Sequence, residues 1–395
     1  MNVNKSLKKI YIILIAIILV VIAIVAILLI NNSTSKVIIS NEESKQLINT
    51  NALTMMYETE AGSGEYQVSS DTTWPQDGYV FNEQLSSCEN GSTLTWDNEN
   101  KRVIVSTSVS DKCYVYFDKM VPTFADICRE ENSNTLACKV ATNYTTDGEN
   151  GLYYHDGTGS YTNADQEAGD NSYRYAGANP NNYVCFGATG ADCQDEDNQY
   201  RIIGVFNNQV KLIKATSYGD YAWNPSMVNE WNENTKPDIY ATLNTTYYNT
   251  IPVEWQNLIA ESTWQVGGMN FSNTNTAKQY YDVEVGTGQS GYEETMKIGL
   301  MYVSDYGYGA NPEKWTTTLT EDNFGTDNWI YFSSNEWTIS QHAPLTTFSI
   351  DSSYGGRVII IQNIRLFAVR PSFYLNSTVT YISGSGTQSD PFRIA

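Results

Sequence analysis

Tyr200-Arg201-Ile202-Ile203-Gly204-Val205-Phe206-Asn207-Asn208-Gln209-Val210-Lys211-Leu212-Ile213-Lys214 is the stretch that decides the fold. Two runs rich in β-branched and apolar residues flank Asn207-Asn208. Asparagine tolerates positive φ, so two strands around this pair make a tight hairpin. Further strands are expected at Lys297–Val303, Val358–Ile361, Leu366–Val369 and Val379–Ile382. The best helical stretch is Ile239–Leu258, in which Pro252 restarts a second short helix as its first residue. Strands outnumber helices and the helices cluster in the middle. That pattern is α+β rather than an alternating parallel sheet.

Upstream of the hairpin, residues 120–199 read as a loop-rich connector belonging to the same module. Turn formers dominate it, as in Asp147-Gly148-Glu149-Asn150-Gly151 and Ala178-Asn179-Pro180-Asn181-Asn182. Pro122-Thr123-Phe124-Ala125-Asp126 opens a short helix through Cys128. Residues 51–119 form a smaller unit with candidate strands at Tyr66–Val68, Tyr79–Phe81, Thr93–Trp96, Arg102–Val105 and Cys113–Phe117. Asn98-Glu99-Asn100-Lys101 reads as a hairpin tip. Short aromatic and β-branched runs between polar turns predict a small β-sandwich.

Residues 31–50 read as a polar stalk with one apolar patch, Val37-Ile38-Ile39. Before them, Ile10–Ile30 is an uncharged apolar run of 21 residues. At ~1.5 Å per residue a helix of that length spans about 30 Å, the hydrocarbon thickness of a bilayer. Lys5, Lys8 and Lys9 precede it, so residues 1–9 are expected in the cytoplasm and the remainder outside the cell membrane. The run is too long for a cleaved signal core, and Leu28-Leu29-Ile30-Asn31-Asn32 offers no small-residue cleavage site. A prepilin leader would place Gly before an aromatic residue and Glu inside the run; Lys9-Ile10-Tyr11 has neither feature.

The chain carries 23 basic and 44 acidic residues. Without Lys5, Lys8 and Lys9, 20 bases face 44 acids beyond residue 30, a charge of −24. Such a surface repels nucleic acid and anionic headgroups. Disorder is not implied, because aromatics make up 13% of the chain and charged residues only 17%. All six cysteines (Cys88, Cys113, Cys128, Cys138, Cys185 and Cys193) follow the apolar run. In an oxidising exterior an even set forms disulfides, with about 15 pairings open and neighbour pairing the simplest. A zinc site would need Cys-x-x-Cys or nearby histidines, and only His155 and His342 are present.

Four blocks carry a resemblance. They are Tyr200–Val205, Ile298-Gly299-Leu300-Met301-Tyr302-Val303-Ser304-Asp305-Tyr306-Gly307-Tyr308, Val369-Arg370-Pro371-Ser372-Phe373-Tyr374-Leu375-Asn376, and Gly384-Ser385-Gly386-Thr387 before Asp390-Pro391-Phe392. Residues 200–395 thereby resemble a module of an uncharacterised family of membrane-anchored surface proteins in Gram-positive (Bacillota and mollicute-related) bacteria. Cys88-Glu89-Asn90-Gly91 and Asp111–Phe117 resemble the small β domain that often precedes it. The larger module is distantly similar to the C-type-lectin-like fold. The lectin calcium signatures Glu-Pro-Asn and Trp-Asn-Asp are absent, although Asp327-Asn328-Trp329 has a related composition. The same fold holds sulfatase-modifying enzymes, whose chemistry needs reactive thiols in the C-terminal half. No cysteine follows Cys193 here.

No recognisable nucleophile stands beside His155 or His342, and both read as surface loop residues. No local motif selects a carboxylate pair for glycoside hydrolysis. Oxygen-rich loops suit calcium: Asp192, Asp195, Glu196 and Asp197 form one cluster, and Glu321, Asp322, Asp327 and Asn328 another. Tyr306, Tyr308, Trp315, Trp329, Tyr331 and Trp337 are the expected ligand-binding surface, because sugars and protein partners both use such rings. Core packing of Trp329 and Trp337 is the competing reading. The expectation is a non-catalytic, membrane-anchored extracellular protein that recognises a glycan or a surface protein. A pilin-like structural subunit is the first alternative and a glycan- or wall-acting hydrolase the second.

Overall fold

The computed structural model describes residues 35–39, 53–69, 78–97, 102–107, 111–157, 166–226, 231–267, 272, 274–286 and 291–395. The apolar run 10–30, the tail before it, most of the stalk and the hairpin tip at 98–101 lie outside the described residues. Among the described residues no helix is long and apolar enough to cross a membrane. The chain divides into two units, residues 1–122 and 123–395. It is β-rich with a few short helices.

In the first unit, β1 (Ser35–Ile39), β5 (Thr93–Asp97) and β6 (Arg102–Thr107) form one sheet in the order β1-β6-β5. The expected stalk therefore supplies a strand: Ser35 to Ile39 pair antiparallel with Thr107 to Val103. Its apolar patch finds the edge of a sheet, a partner that composition does not reveal. The second sheet runs β3-β2-β7-β4, from β2 (Leu53–Glu58), β3 (Tyr66–Val68), β4 (Tyr79–Cys88) and β7 (Cys113–Lys119). Leu53, Met55 and Tyr57 on β2 and Cys113, Val115 and Phe117 on β7 are buried at every second position. They share one core with Leu94, Val103 and Val105 of the first sheet, which makes a β-sandwich. Cys88 and Cys113 are register partners and are joined by a disulfide.

The second unit begins with α1 (Phe124–Glu130) and α2 (Leu136–Thr142). Thr123 caps α1 in a capping box with Asp126, and Thr135 caps α2. The Cys128–Cys138 disulfide staples the pair. Leu136, Ala137, Val140 and Ala141 are buried, so this part of the connector is core rather than loop.

The central sheet contains β8 (Leu152–His155), β9 (Ser172–Tyr175), β11 (Gln199–Phe206), β12 (Gln209–Lys214) and β20 (Ser372–Tyr374), in the order β20-β12-β11-β9-β8. On the side, β10 (Tyr183–Cys185) pairs with β11. The β11–β12 turn is the two-residue hairpin expected, with Asn207 and Asn208 at φ 45° and 67°. Both strands are buried along nearly their whole length. Gly204 follows a register shift in β11; a Cβ there would collide with the Tyr173 carbonyl oxygen. Lys211 and Lys214 are both buried, and at odd and even positions of one strand they point to opposite faces of the sheet.

A second sheet has the order β13-β19-β16-β17-β18, from β13 (Gly219–Ala222), β16 (Glu336–Ala343), β17 (Thr346–Asp351), β18 (Arg357–Gln362) and β19 (Leu366–Val369), while β14 (Ser262–Gly267) and β15 (Tyr292–Met296) pair antiparallel with each other. The expected helix at 239–258 breaks into α3 (Asp238–Ala241), a π turn at Thr242–Tyr247, a 3-10 turn and α4 (Val253–Gln256). Pro252 is the N-cap of α4, one place before its expected position.

The expected strand Lys297–Val303 is the clearest correction. Ile298, Leu300 and Met301 are buried, but only a single bridge, Gly299 to Ser372, is sheet-like, and Val303 opens α6 (Val303–Gly309). α5 (Ala277–Glu284) precedes it in the chain. A fully buried apolar run has no periodicity to separate strand from helix. The Asp305 carboxylate accepts the Tyr302 N–H at 2.8 Å and starts the helix there.

Candidate functional site

The two faces of β12 each meet a recess. On the Lys214 face lies an open cleft of about 330 Å³. Its lining includes Lys214, Tyr200, Tyr218 and Tyr247, with Asp197 and Ser217 at the polar edge. Tyr200 and Lys214 are cross-strand partners, and the Tyr200 hydroxyl shares a hydrogen bond with that of Tyr247. The Lys214 ammonium donates to the Asp197 carbonyl at 2.7 Å, to Thr216 Oγ1 at 3.0 Å and to Asp197 Oδ1 at 3.4 Å. Burial lowers its pKa, opposed by Asp197, and burial pushes the Tyr200 hydroxyl up to about 12. The hydroxyls therefore stay protonated at neutral pH and serve as donors and acceptors. Tyr218 is half-buried, stacks on Tyr221 at 5.7 Å and meets Tyr247 edge-on at 5.0 Å.

On the Lys211 face lies a smaller cavity of about 150 Å³, walled by Phe206, Tyr281, Tyr302 and Tyr374. Lys211 Nζ lies 2.6 Å from Asp305 Oδ2, with the two side chains 0% and 3% exposed. Arg174, equally buried, holds Asp170 at 2.6 Å and stands 3.9 Å from Asp305 Oδ1. Glu284 is fully buried beside this cluster. It accepts the Val303 and Ser304 N–H groups at 2.9 Å and the Ser340 hydroxyl. Burial nonetheless pushes its carboxyl up to about 7.

The six aromatic residues expected to bind ligand are mostly interior. Tyr306, Tyr308, Trp315, Trp329 and Trp337 are at most 5% exposed, and Tyr331 is half-buried. Each polar tip is used inside. Trp315 Nε1 donates to the Ala310 carbonyl, Trp329 Nε1 to Tyr175, Trp337 Nε1 to Tyr221, the Tyr306 hydroxyl to Gly356 and the Tyr308 hydroxyl to Gln166. Four of these five acceptors lie at least 50 residues away in sequence. Burial of such rings with their donors satisfied is core packing.

The expected calcium loop is organised around a different cation. The Lys314 ammonium donates to the carbonyls of Asn323 (3.1 Å), Phe324 (3.2 Å) and Thr326 (2.5 Å). Glu321, Asp322 and Asp327 are exposed, and Asp322 reaches Arg357 at 3.4 Å. Asn328 is buried, donating to the Tyr306 carbonyl and accepting the Ile330 N–H. Among the described residues no group of three or more His, Cys, Asp or Glu side chains stands together to hold a metal. In the first acidic cluster, Asp195 caps the turn at Asp197, and Asp197 serves Lys214.

His155 is not a loop surface residue. It ends β8 at 1% exposure, packs on Tyr308 and Trp315, and accepts the Ala168 N–H at Nδ1. Burial and the nearby Arg174 pull its pKa down to about 3. His342 is half-buried and shares a hydrogen bond with Thr346 Oγ1 at 3.0 Å.

Cys185 and Cys193 are bridged, which completes the neighbour pairing of all six cysteines. The residues missed in sequence are Lys211, Lys214, Arg174, Asp305 and Glu284. The sequence signal was weak: Lys211 and Lys214 stand in Val210-Lys211-Leu212-Ile213-Lys214, a pattern that an ordinary half-exposed strand also shows. No protein-family model, curated protein or solved structure matches the chain.

Proposed function

We propose that the protein is a membrane-anchored surface protein that recognises a glycan or a protein ligand without catalysing a reaction, and that its ligand seats in the Tyr218 cleft. The single observation that carries the site is the cleft itself. It is about 330 Å³, and tyrosine rings, hydroxyls and one ammonium converge on it. Rings give a sugar or side chain a flat apolar contact, while the hydroxyls meet its polar groups. The non-catalytic reading is supported by Lys214, whose donors are already engaged within the fold. The Asp170 and Asp305 carboxylates of the other cavity are likewise each committed to a cation.

The anchor rests on Ile10–Ile30 and the three lysines before it, with the acidic remainder on the extracellular side. The likeness to the Gram-positive surface family and the C-type-lectin-like fold rests on the four sequence blocks and agrees with this role. Calcium remains part of the reading only through the EDTA arm of the test.

The full chain, purified in detergent, is applied to an array of glycans and cell-wall fragments with and without EDTA. The expected result is saturable binding that Tyr218→Ala abolishes while the protein stays folded. EDTA sensitivity would add a calcium requirement. Absence of binding to every glycan removes the carbohydrate ligand and leaves protein recognition or assembly. Binding unaffected by Tyr218→Ala moves the site elsewhere.

A further inference from the structure

We propose that Lys211 and Asp305 are joined in the mature protein by a spontaneous side-chain amide, an internal covalent cross-link between β12 and α6. The pair lies at 2.6 Å, wholly out of solvent. Its carboxyl carbon is one bond beyond the contacting oxygen. Intramolecular pairs that reach a near-attack geometry react at effective concentrations on the order of 10⁵ M or more.

The surroundings suit the condensation. Lys211 Nζ faces the rings of Tyr302 (4.2 Å), Trp264 (4.9 Å) and Tyr374 (5.2 Å). Asp305 is its only hydrogen-bond partner among the described residues. Burial disfavours the ammonium and so favours the neutral, nucleophilic amine. Arg174 stands 3.9 Å from Oδ1, where negative charge develops during attack. The Tyr302 N–H fixes Oδ2 at 2.8 Å. Glu284 lies within electrostatic reach of Lys211 and is held by the Val303 and Ser304 N–H groups at the start of α6.

The balance is simple. The ammonium passes one proton to the carboxylate, giving an amine and an acid. The nitrogen lone pair attacks the Asp305 carboxyl carbon and forms the C–N bond. The C–O bond breaks, the nitrogen gives up a second proton, and one water leaves. Nothing is oxidised or reduced. Two charges disappear from an interior where each is costly to keep. The cavity of about 150 Å³, lined by both residues, receives the water. Aromatic walls then shield the amide from hydrolysis.

The test is peptide mapping of the full-length protein after reduction and digestion. The expected result is one branched species containing the Lys211 and Asp305 peptides, with a mass 18 Da below their sum. Asp305→Asn should give the same branched mass, because ammonia leaves instead of water and the product is identical. Asp305→Ala should give two separate peptides. Recovery of the wild-type Lys211 and Asp305 peptides separately, at full mass, overturns the proposal and leaves an ordinary buried ion pair. That outcome needs no variant to fold, and it is independent of what the Tyr218 cleft binds.

Discussion

The two faces of β12 use the same residue type in opposite ways. On one face Lys211 is sealed among aromatic rings with a single buried carboxylate. On the other, Lys214 is held by a backbone carbonyl, a hydroxyl and Asp197, whose side chain is 82% exposed. An ion pair that water reaches is weak, whereas removing one partner from a sealed pair leaves a bare charge in low dielectric. The face that is closed should therefore govern stability, and the face that is open should govern recognition.

The sharpest way to break this contrast is Asp305→Ala. It strands Lys211 and removes a neighbour of Arg174, so a loss of about 3–5 kcal/mol in denaturant unfolding is expected. A loss below ~1 kcal/mol would mean the chamber is not sealed. Trp337→Ala should match it at about 3–5 kcal/mol, because a fully buried indole leaves a cavity and strands the Tyr221 carbonyl. If Trp337→Ala instead removed ligand binding with stability intact, the core assignment of the aromatic segment would fail.

Next in size is a pH effect from the closed face. Glu284 in the folded chain holds its proton up to about 7, above its ordinary 4.5. Its contribution is complete below pH 4.5 and is lost as pH rises to 7, by about 3 kcal/mol. Glu284→Gln should flatten that slope in unfolding free energies measured across this range. His155 works in the other direction. Its folded pKa of about 3 lies below the ordinary 6.5, so stability falls as pH drops from 6.5 towards 3. The two slopes oppose each other between pH 4.5 and 6.5, and the single variants separate them.

The smallest expected effects belong to the open face. Asp197→Ala should change stability by less than ~1 kcal/mol, since the Asp197 carbonyl and Thr216 still hold Lys214. Tyr218→Ala should also stay within ~1 kcal/mol while removing ligand binding. A large destabilisation by either would show that the cleft is part of the core.

Much of the local order was legible in the chain. Asn207-Asn208 predicts its hairpin because few residues accept positive φ at two successive positions. Thr123 and Asp126 mark the start of α1 because a capping hydroxyl and carboxylate act within one turn. The neighbour disulfides are short-range, at separations of 25, 10 and 8 residues. These features depend on residues close in sequence.

What was misread depends on distant partners. A tyrosine that stacks on a ligand and one that donates to a carbonyl far along the chain have the same letter. Tyr306, tied to Gly356, and Tyr308, tied to Gln166, were not legible as core for that reason. The oxygen-rich loop at 321–328 matched the composition of a calcium site, but Lys314 fills its carbonyl cage.

Composition, apolar runs and turn residues determined the β-rich class and the sandwich, since those rest on local conformational energies and chain length, while cysteine spacing made neighbour staples the simplest of the open pairings. Only tertiary packing decided that Lys211 meets Asp305 across 94 positions and that Lys214 opens onto a cleft. Burial and charge pairing are properties of surfaces brought together, and no stretch of chain carries them alone.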